Sequence, residues 1–337
     1  MGLQIKDILE YEEVDLNYLS GKKIGIDSMN MLYQFVSSIR QPDGSLLMDS
    51  QGNVTSHLKG LFNRCVYFKK NNIKPVFIFD GEPPKLKEKE LENRKKKKIE
   101  ANKKYQEAKE LDLVEDAKKY SVAATKVDSH MIEESKKLVE LFGFPIIQAP
   151  SEGEAQAAYL ANKKKVFATS SQDFDSLLFG SPFLLRNFSV SQKRKVQGSS
   201  MYREVSIELY DLEKNLDKLG INKEELIIVA ILTGTDFNIG GIKGIGPKKA
   251  MKLIKEYKNR WDELFESLEW SSYFDYNWRE VFDTINKMPV DENYNLEFKN
   301  IQKNEIKNFL IEKDFEETVI ERSLNQIKNH KTLENYF

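Results

Sequence analysis

Seven acidic residues stand where the chain could do chemistry: Asp27, Asp80, Glu152, Glu154, Asp173, Asp175 and Asp236. Four short apolar runs, 23–27 (KIGID), 75–80 (PVFIFD), 144–148 (FPIIQ) and 166–169 (VFAT), read as strands. Asp27 ends the first and Asp80 the second, Glu152 and Glu154 follow the third, and Asp173 and Asp175 follow the fourth. Asp236 comes from the loop after an apolar helix at 223–232. Acids gathered at one place without matching bases repel one another and hold on to protons. Hard divalent cations relieve that conflict, and Mg²⁺ in particular binds through a few carboxylates plus substrate phosphate. Two such ions roughly 4 Å apart can activate a water and neutralise the leaving oxygen of an in-line phosphoryl displacement. Zinc and nucleophilic triads find no support, since His57, His130 and His330 are widely spaced and Cys65 is the only cysteine. Taken singly, the acids have plainer readings: Ser151 and Glu154 spell a capping box, Asp173 an N-cap, Asp27 a turn. Recurrence at successive strand ends favours the joint reading.

The elements that must position these acids alternate. Helical segments are expected at 29–39, 55–70, 130–142 and 152–162, between the strands, which predicts an α/β fold with a mostly parallel central sheet flanked by helices. The acids then line the carboxyl edge of the sheet, where open α/β folds place their ligands. Between residues 85 and 104 there are ten Lys or Arg against four Glu, although the whole chain carries a formal charge of only −1. Such segregation is the usual footprint of a polyanionic partner. The stretch 85–120 has few apolar positions and predicts one or two helices standing away from the core. A glycine-rich turn at 240–246 leads into a helix from Pro247. A length of 337 residues with 40% hydrophobic content suits one globular domain. The N-terminus lacks the apolar core of a signal peptide, no run is long enough to span a bilayer, and the lone cysteine allows no internal disulfide, so a soluble, intracellular protein is expected.

Five stretches in order, IGIDSMNMLYQF (24–35), FIFDGEPPKLKEKELENR (77–94), APSEGEAQAAYL (149–160), SSQDFDSLLFG (170–180) and TGTDFNIGGIKGIGPKKA (233–250), together resemble the flap endonuclease family of 5′ nucleases, its archaeal branch above all. The resemblance implies a PIN-like 5′-nuclease fold with a helical arch and a helix-two-turn-helix element. It implies metal-site roles for all seven acids, with two Mg²⁺ per site and Mn²⁺ able to substitute. Lys87 and Arg94 match the basic pair that the family projects from the arch onto the scissile phosphate. Seven residues apart, they share one helix face. The lysines at 95–98 would line the passage for the displaced strand. Tyr33 stands where the family stacks an aromatic ring on an unpaired base, and Arg40 and Thr55 resemble residues near its pocket for a one-nucleotide 3′ flap. Gly244, Gly246, Lys248 and Lys249 would grip duplex backbone, with K⁺ held by carbonyls near Gly241, Ile242 and Ile245. Leu333, Tyr336 and Phe337 resemble a sliding-clamp binding motif in which His330 replaces the usual glutamine.

The resemblance thus implies a structure-specific 5′ flap endonuclease, with 5′–3′ exonuclease activity, acting on branched DNA in Okazaki fragment maturation and repair. The expected organisation is one nuclease domain over 1–328, with an arch insertion at about 81–128 and the helix-two-turn-helix at about 223–257, then a clamp-binding tail at 329–337. A monomer without membrane association is expected, cytoplasmic and nucleoid-associated in an archaeon or nuclear in a eukaryote. The competing readings are a junction or bubble endonuclease of the same superfamily and a non-catalytic clamp-bound scaffold. The presence of all seven acids argues against the scaffold.

Overall fold

The computed structural model describes residues 5–111, 113–188, 193–195 and 202–327. Its centre is a seven-stranded sheet built from β1 (Glu12–Val14), β2 (Lys23–Asp27), β3 (Lys74–Phe79), β4 (Ile146–Gln148), β5 (Ala168–Ser170), β6 (Phe183–Arg186) and β9 (Ile207–Asp211). The order across the sheet is β1-β9-β6-β5-β2-β3-β4. The five strands from β4 to β6 are parallel, and β9 and β1 extend them antiparallel. Helices cover both faces, so β2 and β3 read as unbroken apolar runs instead of alternating ones. A separate two-stranded ribbon pairs β7 (Lys193–Lys195) with β8 (Tyr202–Glu204).

Each expected strand forms, within two residues of its predicted bounds. The third and fourth start two residues later than expected. Phe167 lies outside β5, although its amide already bonds the Lys23 carbonyl. The chain leaves β2 in one direction through β3 and β4, then returns to build β5 and β6 on the other side. The junction of β2 and β5 is therefore a topological switch point, and a crevice opens above its carboxyl end.

On the N-terminal side run α1 (Leu16–Leu19), α2 (Ser28–Ser38) and α3 (Ser56–Lys70), and α2 begins directly at the end of β2. Two helices, α4 (Glu88–Glu110) and α5 (Val114–Ala123), make up the charged stretch. They pack chiefly on one another, through small side chains such as Ala101, Ala108 and Ala117. After them in the chain come α6 (Ser129–Leu141), α7 (Gly153–Asn162) and the short α8 (Asp175–Leu178). A second apolar core surrounds α10 (Lys223–Thr233), whose residues from Leu226 to Leu232 are all buried. A helix enclosed on every side needs no polar face. Around it lie α9 (Leu212–Leu219), α11 (Pro247–Tyr257), α12 (Trp261–Ser267) and α13 (Trp278–Asn286), and α14 (Lys303–Ile311) and α15 (Glu317–Asn325) return to the first core. Among the described residues, no helix is long and apolar enough to cross a membrane.

The histidine excluded from catalysis by spacing, His57, is buried in α3 with Nε2 3.1 Å from Glu134, which also meets Lys313. It joins α3 to α6 as a packing element.

The position of α2 depends on a close approach to α3. A methyl group at Gly60 would sit 2.2 Å from the Phe35 ring. Gly60→Ala should therefore destabilise the protein by about 1–3 kcal/mol through overpacking, read as a lowered Tm. An unchanged Tm would mean that the two helices separate without cost.

Candidate active site

The seven acids meet above the switch point. Asp27 ends β2, Asp80 follows β3, Glu152 and Glu154 flank the start of α7, Asp173 and Asp175 follow β5, and Asp236 follows α10. Asp27 and Asp236 are buried, Glu152, Glu154, Asp173 and Asp175 are half-buried, and Asp80 is exposed. Their backbone settings differ. Asp27 is the N-cap of α2 and accepts from the Asn30 amide at 3.0 Å. Asp80 accepts from the Gly153 amide at 2.8 Å, which ties the end of β3 to the first turn of α7.

Two of the plainer readings fail. Ser151 does not cap α7, because its hydroxyl donates to the Glu82 carbonyl at 2.7 Å, and Glu152 is the N-cap residue without a side-chain bond. Asp173 precedes the N-cap of α8, which is Phe174. Neither Glu154 nor Asp173 is therefore spent on a helix cap, whereas Asp27 caps α2 and faces the cluster at once.

Crowding shows in proton affinity. Burial, then Asp80, pushes the Asp27 carboxyl up to about 8, against a partial offset by the Asn30 amide. Burial, then Asp236 and Asp173, pushes Asp175 up to about 7. Burial, then Asp175, Asp27 and Asp173, raises Glu154 well above the usual range. Asp173 is raised by burial and then by Asp236, Asp80 by desolvation alone against the Gly153 amide and Lys87, and Glu152 by burial although Lys87 opposes the shift.

Lys87 and Arg94 both point into the cluster, although Lys87 is not on the expected shared helix: it ends a 3-10 turn (Lys85–Lys87) and is the N-cap of α4, on which Arg94 sits. Lys87 Nζ lies 2.5 Å from Glu152 and 3.5 Å from Asp236, and Arg94 Nη2 lies 2.9 Å from Asp236. Burial alone would make Lys87 easier to deprotonate, but the charges of Glu152, Asp236 and Asp80 outweigh it and raise its pKa. Glu90, which was not expected from the sequence, holds Arg94 Nε at 2.5 Å from one turn earlier. As the side chains stand, no three His, Cys, Asp or Glu among the described residues close into a ready ligand set. The two cations stand among the acids instead.

The donor set suits hard divalent ions nonetheless. It is all oxygen, it is over-acidic even with Lys87 and Arg94 counted, and two of its atoms, Glu154 Oε1 and Asp175 Oδ1, are buried without a hydrogen-bond partner. Leaving a buried acceptor unpaired costs about 1–3 kcal/mol, a cost that a bound cation removes.

Other expected site residues fall nearby or elsewhere. Tyr33 is half-buried on α2, with Lys98 Nζ 3.3 Å from its hydroxyl and 4.7 Å from its ring centre, so an arch lysine caps it. Arg40 is turned toward the arch's far leg. Its guanidinium donates to the carbonyls of Ser37 (3.0 Å), Gly44 (3.0 Å) and Ser121 (3.1 Å) and to the hydroxyls of Ser121 and Thr125. All five of its N–H donors are thereby used within the protein. Thr55 is buried at the start of α3, with its amide on the Leu47 carbonyl at 2.8 Å.

The 240–246 turn joins α10 to α11. A side chain at Gly241 (φ +56°) would meet backbone at 2.5 Å, so only glycine fits. At Gly244 and Gly246 a side chain would meet nothing within 4 Å, and Lys248 and Lys249 are exposed beside them. The Ile242 carbonyl accepts from the Ile245 amide at 3.0 Å. Leu333, Tyr336, Phe337 and His330 lie outside the described residues.

Residues 2–101 match the XPG N-terminal domain and residues 143–236 the XPG I-region. Flap endonuclease 1 of Pyrococcus furiosus is 47% identical over 344 positions, covering 100% of this chain and 99% of that protein. Among solved structures, flap endonuclease-1 from Methanococcus jannaschii has a TM-score of 0.74 at 37% identity and covers 97% of this chain and 98% of its own. The catalytic core of Rad2 in complex with DNA substrate shares the fold, with a TM-score of 0.71 at 23% identity over 97% of this chain and 100% of its own.

The raised carboxyls have a thermodynamic sign. Folded Asp27 and Asp175 keep protons that the unfolded chain releases, so their contribution is full below the ordinary value of 3.8 and is lost as pH rises toward about 8 and about 7 respectively. In chelator, Tm should fall across that window, and Mg²⁺ should restore it most at the alkaline end. A Mg²⁺ effect independent of pH would remove these acids from the ion-binding set.

Proposed function

Because this chain belongs to the flap endonuclease family and is a structure-specific nuclease, we propose that its crevice hydrolyses one phosphodiester bond at the base of a 5′ flap on branched DNA. The observation that carries this reading is the cluster of proton-retaining acids from four strand ends and the loop after α10, met by two cations from the arch.

Two Mg²⁺, or Mn²⁺ in their place, would be held by Asp27, Asp80, Glu152, Glu154, Asp173, Asp175 and Asp236. Bound there, divalent ions supply charge neutralisation and an activated water. Lys87 and Arg94 then exchange carboxylate partners for the phosphate, where charge develops during transfer. Water adds to phosphorus as the bond to the 3′ oxygen breaks, which leaves a 5′-phosphate on the nicked strand and a 3′-hydroxyl on the released flap. Tyr33 offers its ring to an unpaired base, a contact worth roughly 1–3 kcal/mol for any base. The α4–α5 arch and its lysines at 95–98 cover the single strand. Gly244, Gly246, Lys248 and Lys249 take the duplex backbone without reading its sequence, with K⁺ at the turn carbonyls. Okazaki fragment maturation and repair supply such substrates.

A labelled double-flap DNA, compared with plain duplex and single strand, tests this. Incision near the junction should need Mg²⁺ and vanish in Asp175→Ala while binding persists. Arg94→Ala should slow single-turnover cleavage with little change in affinity. Retained cutting in Asp175→Ala would remove that acid from the metal site, and an unaltered rate in Arg94→Ala would remove the arch cation from the chemistry.

We further propose that Leu333, Tyr336 and Phe337 plug into a sliding clamp. Deleting 333–337 should leave intrinsic cleavage intact and abolish stimulation by the clamp, and equal stimulation of the shortened chain would refute that role.

A further inference from the structure

We propose that Asn30 is a positioning residue which sets the spacing of Asp27, the last residue of β2, and Asp173, in the loop after β5, on the two sides of the switch point. The inference rests on the reading of these acids as ion ligands.

Asn30 is the third residue of α2. Its backbone amide bonds Asp27 Oδ1 at 3.0 Å, and its side-chain Nδ2 donates to Asp173 Oδ2 at 3.1 Å. One residue therefore bridges the end of β2 and the loop after β5. Its side chain is itself oriented, because Oδ1 accepts from Gln34 Nε2 one helical turn on, at 2.7 Å. With its oxygen engaged by a donor, the amide can only present its NH₂ to Asp173. A second bridge closes the arrangement from the other strand: Ser171 Oγ donates to Asp27 Oδ2 at 3.2 Å and accepts from the Asp173 amide at 3.2 Å.

Asp27 and Asp173 repel each other, and the fold must hold them together before any ion arrives. Lys87 and Arg94 do this elsewhere in the cluster with charge, and a charged partner competes with an incoming cation. An amide does not. Asn30 is neutral and donates to a single Asp173 oxygen, so it can stay in place with the ion bound. Oriented donors behind metal ligands fix ligand direction in this way, and losing one typically weakens affinity 10- to 100-fold.

Mn²⁺ titrated calorimetrically into the DNA-free full chain reads this directly. Asn30→Leu should weaken Mn²⁺ binding roughly 10- to 100-fold and raise the Mg²⁺ needed for half-maximal cleavage, with flap-DNA affinity in chelator unchanged. Gln34→Leu keeps the donor but frees its orientation, and should give a smaller shift in the same direction. The double variant should be no weaker than Asn30→Leu, because the two act through one bond. Wild-type Mn²⁺ affinity in Asn30→Leu would overturn the assignment, and so would losses that simply add. If Asn30→Leu does not fold, an unshifted Gln34→Leu overturns it alone. A wild-type chain that takes up no Mn²⁺ would instead overturn the metal reading beneath it.

Discussion

Mutual repulsion among seven acids governs this structure. No arrangement of the sheet makes it favourable to bring Asp27, Glu154, Asp173 and Asp175 together as anions, and the raised proton affinities of these groups express that cost. The fold answers it in three ways. Backbone amides of Asn30 and Gly153 take one oxygen each of Asp27 and Asp80. Two neutral residues link Asp27 to Asp173: Asn30 by its backbone amide and its side chain, and Ser171 by a hydroxyl that donates to Asp27 and accepts from the Asp173 amide. Mobile-charge partners, Lys87 and Arg94, come from a separate helix pair, where they can be exchanged for a substrate without disturbing the sheet. The two atoms that remain unsatisfied, Glu154 Oε1 and Asp175 Oδ1, are buried oxygens that a cation would suit.

Much of this was legible in the chain. An acid placed just after a short apolar run announces the carboxyl end of a buried parallel strand, and four of them in succession announce one edge. The spacing of Lys87 and Arg94 foretold that both turn the same way, but not that Lys87 would stand in the 3-10 turn before α4. Other parts depend on partners far away in sequence. β1 is the tripeptide EEV, largely exposed, and only its pairing with β9 makes it a strand. Arg40 looks like any surface arginine, and nothing local foretells that Ser121 and Thr125 will take its donors. Nothing local marks Asn30 within the stretch 24–35, because its bond to Asp173 forms only when the chain returns through β5.

The capping signals illustrate the same limit. The S-x-x-E pattern at 151–154 is sound local chemistry, yet Ser151 finds the Glu82 carbonyl and Glu154 turns into the crevice. Local preference lost to an arrangement that needs the glutamate elsewhere, and such losses concentrate where a protein does its work.

The pairing of β1 with β9 bears on how the molecule comes into being. The strand that begins the chain finds its place only beside Ile207–Asp211, after six other strands of the main sheet and the ribbon have been made. Closing so long a loop is slow relative to helix pairing. Until β1 docks, β9 presents an unpaired edge, the kind of surface on which nascent chains associate wrongly. The last acid, Asp236, emerges later still. A ribosome-bound fragment ending before it would carry the arch and six of the acids without the seventh, so the cluster is whole only once the chain has passed α10.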